Sequence, residues 1–191
     1  MALAPSAIEQ ERAASSAPSV LVWDLGVRVF HWTLLVSVLA AWFTPNVFNT
    51  AHNIAGYIVL GLLAYRLIWG FLGTRYARFR NFVKSPRIIA CYFREFLKGK
   101  APRYLGHNPA GGAMIILMLL ALTITSVSGY LSLTRRFFGV AWVEDTHSYS
   151  AYLVMAFAAL HVIGVVLTSF LHRENLVRSM FTGRKQSLGH I

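Results

Sequence analysis

Polar and apolar residues alternate in long blocks along this chain. Four stretches stay apolar over about the twenty residues that a helix needs to cross a bilayer, and most charged positions lie between them. The first covers 25–43 and stops at Thr44–Pro45, where the residue before a proline is steered out of helical geometry. The second covers about 51–72, with Arg66 its only charge. The third, 109–131, opens at Asn108–Pro109, a capping residue followed by proline at the first helical position. The fourth, about 146–171, starts at Asp145–Thr146, two good caps. The pattern predicts an all-α membrane protein, a bundle of four transmembrane helices. Arg28, early in the first span, is placed to snorkel to the near interface.

Outside these blocks the pattern changes. Residues 1–21 are small, polar and aperiodic, without the charged start and apolar run of a signal peptide, and read as a disordered tail. Residues 22–184 form the helical unit, and 185–191 a second tail. Between the second and third spans, 86–98 reads as a short helix capped by Ser85 and Pro86. Ile88, Ile89, Tyr92, Phe93, Phe96 and Leu97 share one face of it, opposite basic residues. That suits a helix lying in the membrane interface, and equally a surface helix packed on the bundle.

Composition sharpens the picture. Of 191 residues, 56% are hydrophobic and 13% charged, with a mean hydropathy of +0.53. Soluble domains carry about 25% charge, so an ordinary soluble enzyme and a disordered chain are excluded. The net charge of +11 sits between apolar spans and accompanies no recognition motif, which points to membrane lipid and not to nucleic acid. The single cysteine, Cys91, excludes internal disulfides, cysteine-ligated zinc and covalent C-x-x-C-H haem attachment.

Loop charges set the orientation. Nine basic residues from Arg75 to Arg103 face one acid, Glu95, and Arg173, Arg178, Arg184 and Lys185 follow the fourth span. The opposite loops are uncharged (44–50) or balanced, with Arg135 and Arg136 against Glu144 and Asp145. Both termini are therefore expected in the cytoplasm.

Seven histidines remain to be explained: His31, His52, His107, His147, His161, His172 and His190. An ionisable residue inside a span is a functional signal by default. His147 and His161 lie fourteen residues apart, about 21 Å along one helix, and fourteen steps of about 100° bring both to the same face. His31 sits about six residues into a helix that enters from the inside. His52 opens one that enters from the outside. The pairs His31–His161 and His52–His147 thus form two facing sets of imidazoles at two depths, the ligand arrangement of two six-coordinate b haems enclosed by a helical bundle.

Arg66 repeats the spacing, fourteen residues after His52, and is placed to neutralise the propionates of the inner haem. Gly56, Gly129 and Gly164 leave room for a flat macrocycle. His172 also points inward, but lies about 16 Å below His161 at headgroup level and is set aside as a ligand.

The runs V-R-V-F-H-W, A-H-N-I-A-G-Y, Y-R-L-I-W-G-F-L-G-T-R-Y-A-R-F and L-G-H-N-P-A-G-G-A-M, with the fourth-span histidine pair, cover 22–184. Together they resemble the prokaryotic cytochrome b561 family, which includes the b-type cytochrome subunits of membrane-bound nickel–iron hydrogenases. The chain departs from those subunits in its short external loops. The resemblance implies a bacterial inner-membrane cytochrome with His31, His52, His147 and His161 as iron ligands. It would carry electrons between the membrane quinone pool and a periplasmic redox protein, such as a cytochrome c, a hydrogenase or another dehydrogenase subunit. It would act as part of a larger oxidoreductase or as a quinone-linked one itself. Two alternatives stand beside this reading: a superoxide:ubiquinone oxidoreductase, with Arg135 and Arg136 drawing the anion, and a non-redox haem-binding membrane anchor. A quinone site is expected at the inner haem, where His107 and Asn108 open the third span. His107 would handle protons there. Arg28 would stand nearby, on the quinone or on the haem propionates.

Overall fold

The computed structural model describes residues 19–45 and 49–187. In chain order these form β1 (Ser19–Leu21), α1 (Leu25–Phe43), α2 (Asn49–Leu72), α3 (Phe79–Phe82), α4 (Pro86–Leu97), α5 (Pro109–Ser132), α6 (Ala141–His172), α7 (Leu176–Thr182) and β2 (Arg184–Gln186). The helices α1, α2, α5 and α6 are each long and apolar enough to cross a membrane. Their outward faces expose large apolar side chains such as Leu35, Val36, Ile58, Leu120, Leu160 and Val162. Water would penalise that surface and lipid does not. The chain is a multi-pass membrane protein.

The bundle is built by neighbours. Helix α6 rests mainly on α5, α1 on α2, and α2 joins α5. Direct contact of α6 with α1 or α2 is sparse, so these helices approach each other chiefly through side chains. Mid-bundle, Val59 and Leu63 of α2, Ala121 and Leu122 of α5 and Val154 of α6 form a buried apolar cluster, flanked by Leu34, Val38, Leu119 and Phe157. By position along α2 and α6, this layer lies between the two histidine levels. We call the end carrying His52 and His147 outer, and the end carrying both terminal segments inner.

Three sequence expectations need correction. Helix α6 begins at Ala141, five residues before Thr146, after a Val140 N-cap that makes no side-chain cap bond. Full burial of Val143 holds that first turn in place, and the Thr146 hydroxyl donates back to the Trp142 carbonyl (2.7 Å) instead of capping. Second, part of each expected tail is ordered. Ser19–Leu21 and Arg184–Gln186 pair as antiparallel strands, with Val20 opposite Lys185, while 1–18 and 188–191 lie outside the described residues. The Gly183 carbonyl extends this pairing by accepting from the amides of Val22 and Trp23 (2.8 and 3.0 Å). Third, Ser85 occupies the N-cap of α4 without a side-chain cap bond.

The inner end is closed by long-range contacts. Asp24 caps α1 through the Val27 amide (2.9 Å), and also accepts from Trp69 Nε1 (3.2 Å) and the Thr74 hydroxyl (2.5 Å). Val22, Trp23, Val27 and Ala77 pack into a second buried cluster beside it. Below, Glu174 takes Arg103 (2.9 Å) and the buried Lys185 (3.6 Å), while Arg103 also reaches the Gln186 carbonyl (2.8 Å). On α4, Tyr92 is buried against Tyr104 (5.8 Å), whereas Ile88, Phe93 and Leu97 stay exposed.

Candidate functional site

At the outer end, His52 of α2 faces His147 of α6 with ring centroids 5.9 Å apart and planes at 81°. Each ring is held by its Nδ1. His52 donates to the Ala41 carbonyl of α1 (2.9 Å), and His147 to the Thr125 carbonyl of α5 (2.8 Å). A carbonyl only accepts, so both Nδ1 atoms carry a proton, and in the neutral ring the lone pair lies on Nε2. The Thr125 hydroxyl donates to Ser150 Oγ (2.8 Å), and the Ser150 hydroxyl donates to the His147 carbonyl (3.1 Å), so the strut between α5 and α6 is itself braced. Gly56, Gly129, Leu60 and Ser126 line a cleft beside the pair. Tyr57 and Tyr130 meet edge to face along it (6.5 Å). A Cβ at Gly129 would stand 2.8 Å from the His147 ring, while at Gly56 and Gly164 it would have no described residue within 4 Å.

The inner end is arranged differently. His31 of α1 and His161 of α6 lie near enough for their charges to interact. Among the described residues, His31 Nδ1 is buried without a hydrogen-bond partner, and so are Trp32 Nε1, Arg28 Nε, Arg66 Nη1 and His107 Nδ1. Five buried nitrogens without partners at one end of a bundle are costly unless a polar group belongs among them.

Arg66 is only 4% exposed. Its guanidinium lies over the Phe79 ring (4.8 Å), and Nη2 donates to the Ala77 carbonyl (3.1 Å). The loop after α2 therefore folds over this arginine and keeps it off the headgroups. Trp32 stacks on Phe181 (4.2 Å). Arg28 gives Nη1 to the Phe181 carbonyl (2.6 Å), a tie to α7 that the sequence did not suggest.

His107 sits between Trp23 (4.5 Å) and Phe82 (4.9 Å). Burial first, then Arg66, Lys185, His161 and His31, push it down from 6.5 to about 3. The ring is thus held neutral at physiological pH, where the sequence suggested a titrating group. Asn108 caps α5 by accepting from the Gly111 amide (2.7 Å). His172, the last residue of α6, has Arg103, Glu174 and Lys185 around it. His190 lies outside the described residues.

A family model described as prokaryotic cytochrome b561 matches residues 22–183. The chain belongs to this family. Curated relatives include proteins named probable Ni/Fe-hydrogenase B-type cytochrome subunit. That of Rhizobium leguminosarum is 26% identical over 87% of this chain and 89% of its own length. That of Cupriavidus necator is 25% identical over 91% of each, and that of Rhodobacter capsulatus 23% over 87% and 81%. No solved structure gives a significant match.

A b-type cytochrome implies haem b, and the residues of this cytochrome b561 member suit that group. Imidazole binds a metal from about 2 Å, so two imidazoles that would share one ion must stand within a few ångströms of each other. The outer pair stands at 5.9 Å. The donor set is a pair of imidazoles, each with its Nδ1 held by a carbonyl, the usual support of a metal-bound histidine. At the inner end, the buried cation of Arg66 with its free Nη1 suits an acidic substituent.

Sequence reasoning missed Ala41, Thr125 and Ser150, because backbone acceptors and a serine–threonine contact leave no pattern in a single chain. It missed Trp23, Phe82 and Asp24 because they reach the inner site across the fold.

Proposed function

We propose that this cytochrome binds two b haems, one at His52 and His147 and one at His31 and His161, and moves electrons across the bacterial inner membrane. The observation that carries the reading is the outer pair: two imidazoles from different helices, 5.9 Å apart, each with Nδ1 on a backbone carbonyl. Haem b with two imidazole ligands supplies reversible one-electron carriage. The chain's own residues do the rest. The histidines fix orientation, Arg66 neutralises acidic substituents at the inner site, and the apolar layer around Val59, Leu63 and Val154 keeps water out between the levels.

Electrons would pass between membrane quinone and a periplasmic redox protein. The names of the relatives favour a nickel–iron hydrogenase as that partner. The basic inner loops support cytoplasmic termini. Quinone would dock at the inner end, where neutral His107 offers hydrogen bonding and Asn108 holds the start of α5. Arg28, tied to α7, would shape the wall of that site.

The test is a haem count on the purified chain, with two noncovalent b haems per chain expected and one or none overturning the reading. Reporter fusions near Lys100 should report cytoplasm, and a periplasmic signal there reverses the orientation. Reduction by quinol, measured with the partner absent, tests the quinone assignment.

A further inference from the structure

The two carbonyls that hold the outer histidines belong to helices, where a carbonyl is normally taken by the amide four residues on. Each is open to a side chain for a reason visible in the sequence. The Ala41 carbonyl lies in the last turn of α1, where carbonyls have no amide partner within the helix, and residue 45, the next amide in line for it, is proline and has no N–H. Its acceptor capacity is left to His52, which donates from 2.9 Å.

The Thr125 carbonyl is served by residue 129 and also lies 3.1 Å from the Ser128 hydroxyl. His147 reaches it from 2.8 Å only because residue 129 is glycine. A Cβ there would stand 2.8 Å from both Cε1 and Nδ1 of that ring. One helix opens its carbonyl by lacking a donor, the other by lacking a side chain.

We propose that Pro45 and Gly129 are positioning residues of the outer site. Each leaves one helix carbonyl open to the Nδ1–H of a facing histidine and thereby aims that histidine's Nε2 into the gap between α2 and α6. The inference rests on the two-haem reading for what fills the gap. A second consequence follows for the electronics. Donation from Nδ1 makes an imidazole a stronger ligand, which favours the oxidised iron and lowers the potential of the outer haem. His31 Nδ1 has no such acceptor among the described residues, and Arg66 and Lys185 place positive charge at the inner end.

The experiment compares full-length wild type with Pro45→Ala, Gly129→Ala and Gly61→Ala, reading haem content, optical redox titration and low-spin electron paramagnetic resonance. His52→Ala identifies the outer signals as those it removes. Pro45→Ala introduces an amide that can compete for the Ala41 carbonyl. It should keep both haems, raise the midpoint of the outer haem only and shift only its resonance.

Gly129→Ala should weaken retention of the outer haem about tenfold or more and leave the inner one in place. Gly61→Ala, whose Cβ meets nothing within 4 Å, should match wild type. The inference is overturned if Pro45→Ala and Gly129→Ala leave the outer midpoint and resonance at wild-type values. It is also overturned if both haems shift together, which marks a general structural effect. A wild-type chain with a single haem would sink the two-haem reading alone. The positioning role would then be judged on whether that haem depends on His52 and responds to Pro45→Ala.

Discussion

The outer and inner ends of the bundle use histidines in opposite ways. At the outer end both rings are locked by backbone acceptors contributed by neighbouring helices, and little else polar is needed. At the inner end the rings stand among Arg28, Trp32, Arg66 and His107, each carrying a buried nitrogen without a partner among the described residues. The loop after α2, the start of α5, α7 and the terminal strands all contribute to that end. A site built from helix ladders is precise with few parts. A site built from loops and ends exposes more groups and can exchange with something outside the bundle.

The largest effect tests whether the two ends are separate. His52→Ala and His147→Ala should each remove the same half of the haem absorbance, and His31→Ala and His161→Ala the other half, read in reduced-minus-oxidised spectra. If His31→Ala and His147→Ala abolish the same component, the pairing is wrong and the comparison fails with it.

Next comes charge. Arg66→Leu removes the buried cation of the inner end. It should lower the midpoint potential of the inner haem and loosen its retention, while the outer haem titrates unchanged. An equal effect on both would mean that Arg66 acts on the whole bundle.

Glu174→Gln leaves Arg103 and Lys185 without their shared anion. A lost hydrogen bond to a charged group costs about 2 kcal/mol, to be read as a lower thermal midpoint in detergent. The outer resonance should survive at temperatures where the inner one has begun to change.

The smallest effect concerns His107. Its folded value of about 3 lies below the free value of 6.5, so between those limits the unfolded chain binds a proton that the folded chain refuses. Stability therefore falls as pH drops through that window. His107→Gln should flatten this slope when thermal midpoints near pH 7 and pH 4.5 are compared. It should also slow exchange with quinol without altering either haem spectrum. Wild-type quinol kinetics in this variant would move the quinone site away from the inner end.

The four spans could be read from hydropathy because lipid demands long apolar helices, and His52 and His147 could be paired because helical periodicity carries from one end of a span to the other. Boundaries failed where tertiary burial outweighed capping preference, as at Val143 against Asp145–Thr146. Arg66 was readable as an inward cation, but not its cover by Phe79 and the Ala77 carbonyl, since loop paths leave no periodic trace. Pro45 was legible only as a helix stop. That the missing amide serves a histidine on the next helix depends on how α1 and α2 meet, which a one-dimensional pattern does not encode.

The pairing of β1 with β2 has a bearing on biogenesis. A ribosome adds about 5–20 residues per second, and residues 19 and 186 leave it far apart in time. The first strand has no mate until every span has been threaded into the bilayer. The outer histidines can meet once α6 is inserted. The inner end uses Phe181 and Lys185 as well, so it is completed last, after translation has passed the final strand.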